Sequence, residues 1–438
     1  MTPWKFYITT FGCKVNQYES QALLEAWQKL GGMECVDASE ADVVCINSCA
    51  VTAQGERDAR NAILRLRCKA PAARLILTGC AATLYKNFQT KPDKPDMIVP
   101  QTEKRRLLHG PWDERHDAAK ASFPPFAIAS FRRARPVLKL QDGCSRRCAY
   151  CIVPITRGRA VSRPFADVMA EARRLFAAGY AEIMLSGVSL SQYRHEEDGN
   201  FWDMLLRLDK ALSPEFGNTA RLRLSSLDPV QLDAQGINTL GACRMVCPHL
   251  HISLQHTSRS VLQRMGRGHY TAEKLLTVLR TLSTLWPVMG LGADILVGFP
   301  EETEEDIKHL LSYIDALGLS YAHVFPYSQR PGTMAATLAG QHPIQVKTAR
   351  AARVRAAVQQ SRQRFLRAQL ALPHMIVAVT TPEARQKSLQ SAGEESRLIW
   401  KGVNEFYIVC HLDAPVNEML VPVRPTGING NILNAKAL

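Results

Sequence analysis

Three short apolar runs in the first hundred residues each lead into a cysteine, and that recurrence limits the folds open to this chain. Residues 5–9 (KFYIT) run into Cys13, 42–46 (DVVCI) into Cys49, and 74–77 (RLIL) into Cys80. Between them, residues 17–30, closed by Gly31-Gly32, and 54–67 have helical apolar spacing. Strand, helix, strand, helix, strand is the pattern of a parallel sheet covered by helices. Parallel strands end at one edge of their sheet, so cysteines 36 and 31 residues apart are expected to converge. Three converging thiols can form a cluster site. The plain alternative is three buried cysteines acting as small apolar residues.

A second set is contiguous. Residues 144–151 read CSRRCAYC, a CxxxCxxC triplet of Cys144, Cys148 and Cys151. Thiolate is the ligand of iron–sulfur clusters, and three thiolates leave one iron of a four-iron cube open to another ligand. Structural zinc is the alternative, but it wants four ligands, and the nearest histidine after the triplet is His195. The triplet follows the apolar run 137–140, which places it on the loop after a first barrel strand, where catalysis sits in such barrels.

The chain divides into three blocks. Residues 1–112 form the first α/β unit, and 113–135, polar and proline-bearing with Arg132, Arg133 and Arg135, read as a linker. Residues 136–368 alternate again, with apolar runs at 183–185, 222–224, 251–254, 293–297 and 321–325. Five or six βα units predict a full or partial parallel barrel. Residues 374–438 read as short strands (375–380, 397–400, 406–410, 419–423) in a small all-β barrel whose charges balance. Within the central block, residues 346–370 carry seven cations (Lys347, Arg350, Arg353, Arg355, Arg362, Arg364, Arg367) and no acid. Such a helix can track phosphates, or simply be a solvated face.

Composition sets the class. With 46% hydrophobic and 21% charged residues among 438, wholesale disorder is excluded. No apolar run approaches the ~20 residues of a membrane helix, and residues 1–10 lack a signal peptide's basic and apolar regions. A cytoplasmic, non-membrane protein is expected. The net charge of +14 suits a polyanion such as RNA. Twelve cysteines in a chain this long point to metal or redox sites rather than a disulfide scaffold. Cys35, Cys45, Cys68, Cys243, Cys247 and Cys410 belong to neither set and read as ordinary residues.

The triplet, with Tyr150 before its last cysteine, resembles the radical S-adenosylmethionine superfamily. FGCKVNQYES (11–20), INSCAVT (46–52) and LTGC (77–80), followed by the triplet, look like its methylthiotransferase family. GRAVSRP (158–164), EIMLSGVSLSQY (182–193), RLRLSSLDP (221–229), HLHISLQHTS (249–258), RMGRGHYT (264–271), DILVGFPEET (294–303) and YSQRPGTMAA (327–336) match the same family in order. KGVNEFYIV (401–409) is a weaker match to a TRAM barrel. One departure is His256-Thr257 after Gln255, where the family usually has Ser-Gly; it is expected to alter a loop at the barrel mouth.

The resemblance implies an α/β protein with an N-terminal cluster domain, a partial TIM barrel and a C-terminal TRAM barrel. It implies two 4Fe-4S clusters, on Cys144, Cys148 and Cys151 and on Cys13, Cys49 and Cys80. S-adenosylmethionine would supply a 5′-deoxyadenosyl radical at the first and methylate a sulfur at the second. Tyr150, Gly187, Val188, Ser225, Gln255 and Asp294 are the residues implied to contact S-adenosylmethionine. An electron donor and a sulfur donor are implied partners. Lys14-Val15 after Cys13 looks most like the branch that modifies N6-threonylcarbamoyladenosine in tRNA. The branches acting on isopentenyladenosine in tRNA, or on an aspartate of a ribosomal protein, are alternatives. So is an RNA-binding or redox-sensing protein without catalysis. A threonylcarbamoyl group carries a carboxylate, for which Arg157, Arg159 and Arg163 are candidate partners. Arg353, Arg355, Arg362 and Arg364 are candidates for the tRNA backbone.

Overall fold

The computed structural model describes residues 3–85, 94–113, 122–379, 400–412 and 418–438. The first unit is strand β1 (Trp4–Thr10), helix α1 (Lys14–Lys29), β2 (Gly32–Glu34), β3 (Val43–Ser48), α2 (Ala53–Lys69), β4 (Arg74–Gly79), α3 (Cys80–Leu84) and β5 (Met97–Pro100). Its sheet runs β2-β1-β3-β4-β5, parallel throughout. The α1 helix forms because Val15, Tyr18, Leu23 and Trp27 recur on one face, and that face is buried. Thr52 caps α2 by accepting from the Gly55 N–H at 3.1 Å, and Arg67 and Lys69 sit in the last turn, opposite the dipole's negative end.

The central unit opens with β6 (Val137–Asp142), α4 (Val153–Arg157), β7 (Val161–Ser162), α5 (Phe165–Ala177) and β8 (Glu182–Gly187). A small hairpin of β9 (Arg194–His195) and β10 (Gly199–Asn200) precedes α6 (Phe201–Phe216), β11 (Arg221–Leu224), β12 (Ser226–Leu227) and α7 (Ala234–Ala242). Then come β13 (His249–Gln255), α8 (Arg259–Arg264), α9 (Ala272–Leu285), β14 (Gly290–Val297), α10 (Glu304–Leu317), β15 (Tyr321–Pro326) and α11 (Ile344–Gln369). The strands form two sheets, β11-β8-β6-β7 and β12-β13-β14-β15, parallel except for the edge strand β7. A parallel bridge from Leu222 on β11 to Val246, in the segment leading into β13, brings the two sheets side by side as an open barrel. Thr303 and Asp306 form the capping box expected where acids start α10, and Gly318 ends it in the left-handed conformation.

Strands covered on both faces usually read as continuous apolar runs. These alternate. Leu138, Leu140, Ile183, Leu185, Leu250, Ile252, Ala293 and Ile295 are fully buried under the helices. The intervening Lys139, Gln141, Ser186, Ser225, His251, Asp294 and His323 therefore lie on the concave side.

The C-terminal unit is a closed barrel, β16-β17-β18-β20-β19, of β16 (Met375–Val379), β17 (Trp400–Asn404), β18 (Val409–Leu412), β19 (Leu420–Asn429) and β20 (Ile432–Ala437). Its core includes Met375, Val377, Ile408, Val423 and Leu433. It seats on the N-terminal ends of the central strands. Arg221 donates to the carbonyls of Ile376 and Val403, and Arg223 to those of Asn404 and Glu405, all at 2.8–2.9 Å. Of the strand expected at 397–400, only Trp400 falls among the described residues. In the expected linker, Phe126, Ile128 and Phe131 are buried, and Tyr18 donates to the Phe126 carbonyl at 2.8 Å. That stretch is anchored to α1, because its three large apolar side chains have a face to fill.

Candidate active site: two sets of three cysteines

Cys13 is the N-cap of α1, Cys49 follows β3, and Cys80 begins α3. Register places Thr10 beside Asn47 and Ser48 beside Gly79, so the three chain segments leave one sheet edge together. Gly12 has φ +92°, and a Cβ there would lie 2.7 Å from Cys49 Sγ. A side chain at that position would fill the space in front of the thiol. Burial raises the Cys49 thiol to about 11, and the neighbouring charges of Cys80 and Cys13 push the same way. Thiols this crowded oppose one another's ionisation as free groups. Binding to iron relieves that conflict, because the metal takes the thiolate form. The donor set and the open space before it fit an iron–sulfur cluster.

The triplet lies on the loop after β6. Cys151 is raised to about 12 by burial, with Cys148 and Cys144 adding to it. The loop is built by groups the sequence reading did not single out. Gln141 donates to the carbonyls of Asp142 and Gly143 at 2.7 and 2.8 Å and accepts from Ser189 N at 2.7 Å. Gln192 accepts from Ser145 N at 2.8 Å and donates to Cys144 Sγ at 3.0 Å. Asp228 gathers Arg146, Arg267 and His269 at 2.8–3.2 Å, and Arg267 reaches Cys148 Sγ at 3.9 Å. A cation beside the thiols suits a negatively charged cluster. Gly143 turns the chain at φ +67°; a Cβ there would meet the Arg159 carbonyl at 2.0 Å. All twelve cysteines are free of disulfides. Of the six others, Cys35, Cys45, Cys247 and Cys410 are buried, Cys243 is partly buried and Cys68 is exposed.

Between the two sets lies a buried charge network. Glu19 on α1 accepts from Lys104 and Lys139 at 2.6 Å each and from Arg157 at 3.0 Å. Asp142 takes the other faces of Lys139 and Arg157 at 2.6 and 2.8 Å. Burial alone would raise the Glu19 carboxyl, but Arg157, Lys104 and Lys139 hold it well below the usual range. Arg157, six residues past Cys151, also feels the thiols of Cys80 and Cys13. It thus ties the first sheet to the triplet's own loop.

The expected S-adenosylmethionine residues divide. Gly187 ends β8 and Val188 follows it, Ser225 follows β11 and Gln255 ends β13, all at the strand ends that carry the triplet. Ser225 Oγ is buried with no partner, a polar group left for a ligand. Gln255 adopts φ +56°. Asp294 lies deeper, 3.2 Å from His251 Nε2 and 3.4 Å from Ser226 Oγ. Tyr150 packs with Val261, Met265, Phe299 and Tyr327.

The candidate cations are placed differently from the expectation. Arg157 is held by Glu19 and Asp142. Arg163 is held by Glu171 at 2.9 Å and Tyr18 at 3.1 Å. Both are buried, so neither presents a free guanidinium; Arg159 is exposed. On α11, Arg353 pairs with Glu304 and Arg364 with Asp315. Arg355 donates to the Val324 carbonyl at 2.8 Å and Arg362 to that of Asn431 at 3.2 Å. The helix lacks acids of its own, but its neighbours supply them or carbonyls. His256 was expected at the barrel mouth, yet it is fully buried, accepting from Ser258 N at 2.9 Å and facing Glu302 at 3.6 Å. Burial lowers it to about 3, so it is a neutral packing group behind the strand.

Residues 5–100 match the family described as "Uncharacterized protein family UPF0004", and residues 138–314 match the "Radical SAM superfamily". The threonylcarbamoyladenosine tRNA methylthiotransferase MtaB of Chlamydia pneumoniae is 34% identical over 343 residues, 78% of this chain and 79% of that protein. The MtaB of Bacillus subtilis is 33% identical over 79% of this chain and 78% of its own length. The tRNA-2-methylthio-N(6)-dimethylallyladenosine synthase of Herminiimonas arsenicoxydans is 31% identical over 90% of this chain and 91% of its own. The radical S-adenosylmethionine methyltransferase TsrM of Kitasatospora setae, solved with cobalamin and a [4Fe-4S] cluster, aligns with TM-score 0.55 over 76% of this chain and 74% of its own, at 15% identity, a likeness of fold. Among the described residues no helix is long and apolar enough to cross a membrane. Relatives that share about a third of their residues across most of both chains show the family, and on that footing the chain belongs to the radical S-adenosylmethionine methylthiotransferases.

Proposed function

We propose that this protein adds a methylthio group to C2 of N6-threonylcarbamoyladenosine, just 3′ of the anticodon in tRNA, using two four-iron clusters. Cys144, Cys148 and Cys151 would hold one cluster, and Cys13, Cys49 and Cys80 the other. When bound, they would supply the electron that cleaves S-adenosylmethionine and the sulfur that is transferred. An electron donor and a sulfur donor are required partners.

The observation that carries this reading is Arg157, which starts from the triplet's loop and donates to Asn16 at 2.6 Å, whose amide in turn holds the carbonyls of Phe11 and Ser48 just ahead of Cys13 and Cys49. The two thiol sets thus share one buried network rather than lying on separate surfaces. Each part of the chain has its own task. Gln141, Gln192 and Asp228 hold the triplet's loop in one conformation. Glu19, Lys104, Lys139 and Asp142 fix the first sheet against the barrel. Ser225 Oγ and the ends of β8 and β11 offer polar atoms to S-adenosylmethionine. The C-terminal barrel closes the far end of the strands, which keeps water from that side.

A second reading, isopentenyladenosine in tRNA, is favoured by the Herminiimonas relative and its name. The test is a competition on purified, anaerobically reconstituted protein. tRNA bearing threonylcarbamoyladenosine, tRNA bearing isopentenyladenosine and a ribosomal protein are offered together, and products are read by mass spectrometry. We expect the 2-methylthio product on the first. Preferential modification of either other substrate refutes the assignment and leaves the family intact.

A further inference from the structure

The concave side of β13, β14 and β15 carries an unusual strip. Side chains of one strand alternate, so Tyr321, His323 and Phe325 share the face opposite the buried Val324. His323 and Asp294 are register partners, and His251 lies beside them. The rings step along the strip. Tyr407, from the C-terminal barrel, lies 5.4 Å from Tyr321, which lies 5.7 Å from His323, which lies 6.4 Å from Phe325. Phe325 is 41% exposed, large for an aromatic on a barrel's inner face. Exposed rings on an inner wall are a platform for a flat base.

One cation overlooks this strip. Lys14 follows Cys13, and its Nζ is 5.8 Å from the centre of the Tyr407 ring. It is exposed and forms no ion pair among the described residues. The other cations near Tyr407 are occupied, because Arg135 and Arg223 both face Glu182 at 3.6 and 2.7 Å. His323 is lowered by burial, with the Asp294 carboxylate opposing the shift and His251 and Lys14 adding to it. Lys14 therefore joins a position next to one thiol set to the ring-lined wall, and among the described residues it pairs with no anion.

We propose that Lys14 is a specificity-determining residue, its ammonium pairing with the carboxylate of the threonylcarbamoyl group while the base lies on the strip. This rests on the substrate reading above. It takes over the role that Arg157 and Arg163, being buried and paired, have no free group to fill. A charged donor facing a carboxylate recognises an acid and has nothing to offer an uncharged alkyl group.

The test uses the full-length reconstituted protein, its Lys14→Gln and Lys14→Arg variants, and one anticodon stem-loop in three forms. These are unmodified, bearing threonylcarbamoyladenosine, and bearing its methyl ester, which keeps the shape and removes the charge. The wild-type protein should bind the acid about ten- to a hundredfold more tightly than the ester. Lys14→Gln should erase that preference and Lys14→Arg retain most of it. Affinity for the unmodified form and iron content should stay level across all three proteins. A wild-type protein that does not distinguish acid from ester overturns the proposal. So does a Lys14→Gln variant that still does, or one that loses the unmodified form equally. If the wild-type protein fails to methylthiolate tRNA bearing the acid, the substrate reading itself fails. If it succeeds and Lys14→Gln still discriminates, only the role of Lys14 falls.

Discussion

Arg157 lies 3.0 Å from Glu19 across the boundary between the first sheet and the open barrel, and neither side chain is more than 2% exposed. Three buried cations, Lys104, Lys139 and Arg157, face two buried carboxylates, Glu19 and Asp142. One positive charge is left uncompensated, and Arg157 also donates to Asn16, which holds the carbonyls of Phe11 and Ser48 just ahead of Cys13 and Cys49. Burying an ion pair is costly, and removing one partner is costlier still, because the other charge stays behind. Glu19→Gln leaves three cations short of one anion. We expect a loss of about 3–5 kcal/mol in urea unfolding. A loss below about 1 kcal/mol would mean that solvent reaches the network.

The thiol sets should load independently. Reconstituted protein should hold about eight irons, four per cluster. Replacing Cys144, Cys148 and Cys151 with Ala should leave about four, and so should replacing Cys13, Cys49 and Cys80. The first variant should make no 5′-deoxyadenosine. The second should still make it and transfer no methylthio group. Cleavage surviving in the first variant would reverse the assignment of roles.

The six central strands and the edge where Cys13, Cys49 and Cys80 meet were legible because both follow from local patterns. Apolar runs mark strands, and parallel strands share an edge. The partners of Arg157 and Arg163 were not, because Glu19 and Glu171 lie 138 and 8 residues away and only packing brings them in. The helix at 344–369 looked unopposed for the same reason: Glu304 and Asp315 belong to α10. One local signal was passed over. Cys13, Cys80 and Cys144 each follow a glycine with positive φ, so the Gly-Cys dipeptide marked three of the six thiols. The strip on β15 was hidden inside an apolar run, where Tyr321, His323 and Phe325 alternate with Ala322 and Val324.

The α11 arginines should matter less to tRNA than their number suggests. Each neutralised phosphate contact contributes about 0.9 to the salt slope of binding to a duplex. Arg353 and Arg364 already face exposed acids. Changing both to Gln should therefore lower the slope by less than the about 1.8 expected of two phosphate contacts. A filter-binding series across salt concentrations measures it, and a full drop would show that both side chains leave their acids for the RNA.

The seat of the C-terminal barrel should depend on one carboxylate. Glu182 is fully buried and accepts from Arg221 at 2.8 Å and from Arg223 at 2.7 and 2.8 Å. The remaining donors of those arginines reach the carbonyls of residues 376 and 403–405. Burial would raise Glu182, but Arg223 and Arg221 outweigh it and hold the carboxyl far below its ordinary 4.5. A depressed folded value means that the unfolded chain takes up the proton first as pH falls. The stabilisation is therefore whole above about pH 4.5 and drains away as the solution is acidified towards the folded value. Glu182→Gln should cost about 3–5 kcal/mol at neutral pH, because both guanidiniums stay buried without their anion. The gap between wild type and variant should narrow steadily below pH 4.5. Limited proteolysis should then cut the variant between the central unit and the C-terminal barrel first, since the closest partners of Glu182 are the two arginines of the clamp. A gap that is unchanged from pH 7 to pH 3 would mean that Glu182 acts by shape and not by charge.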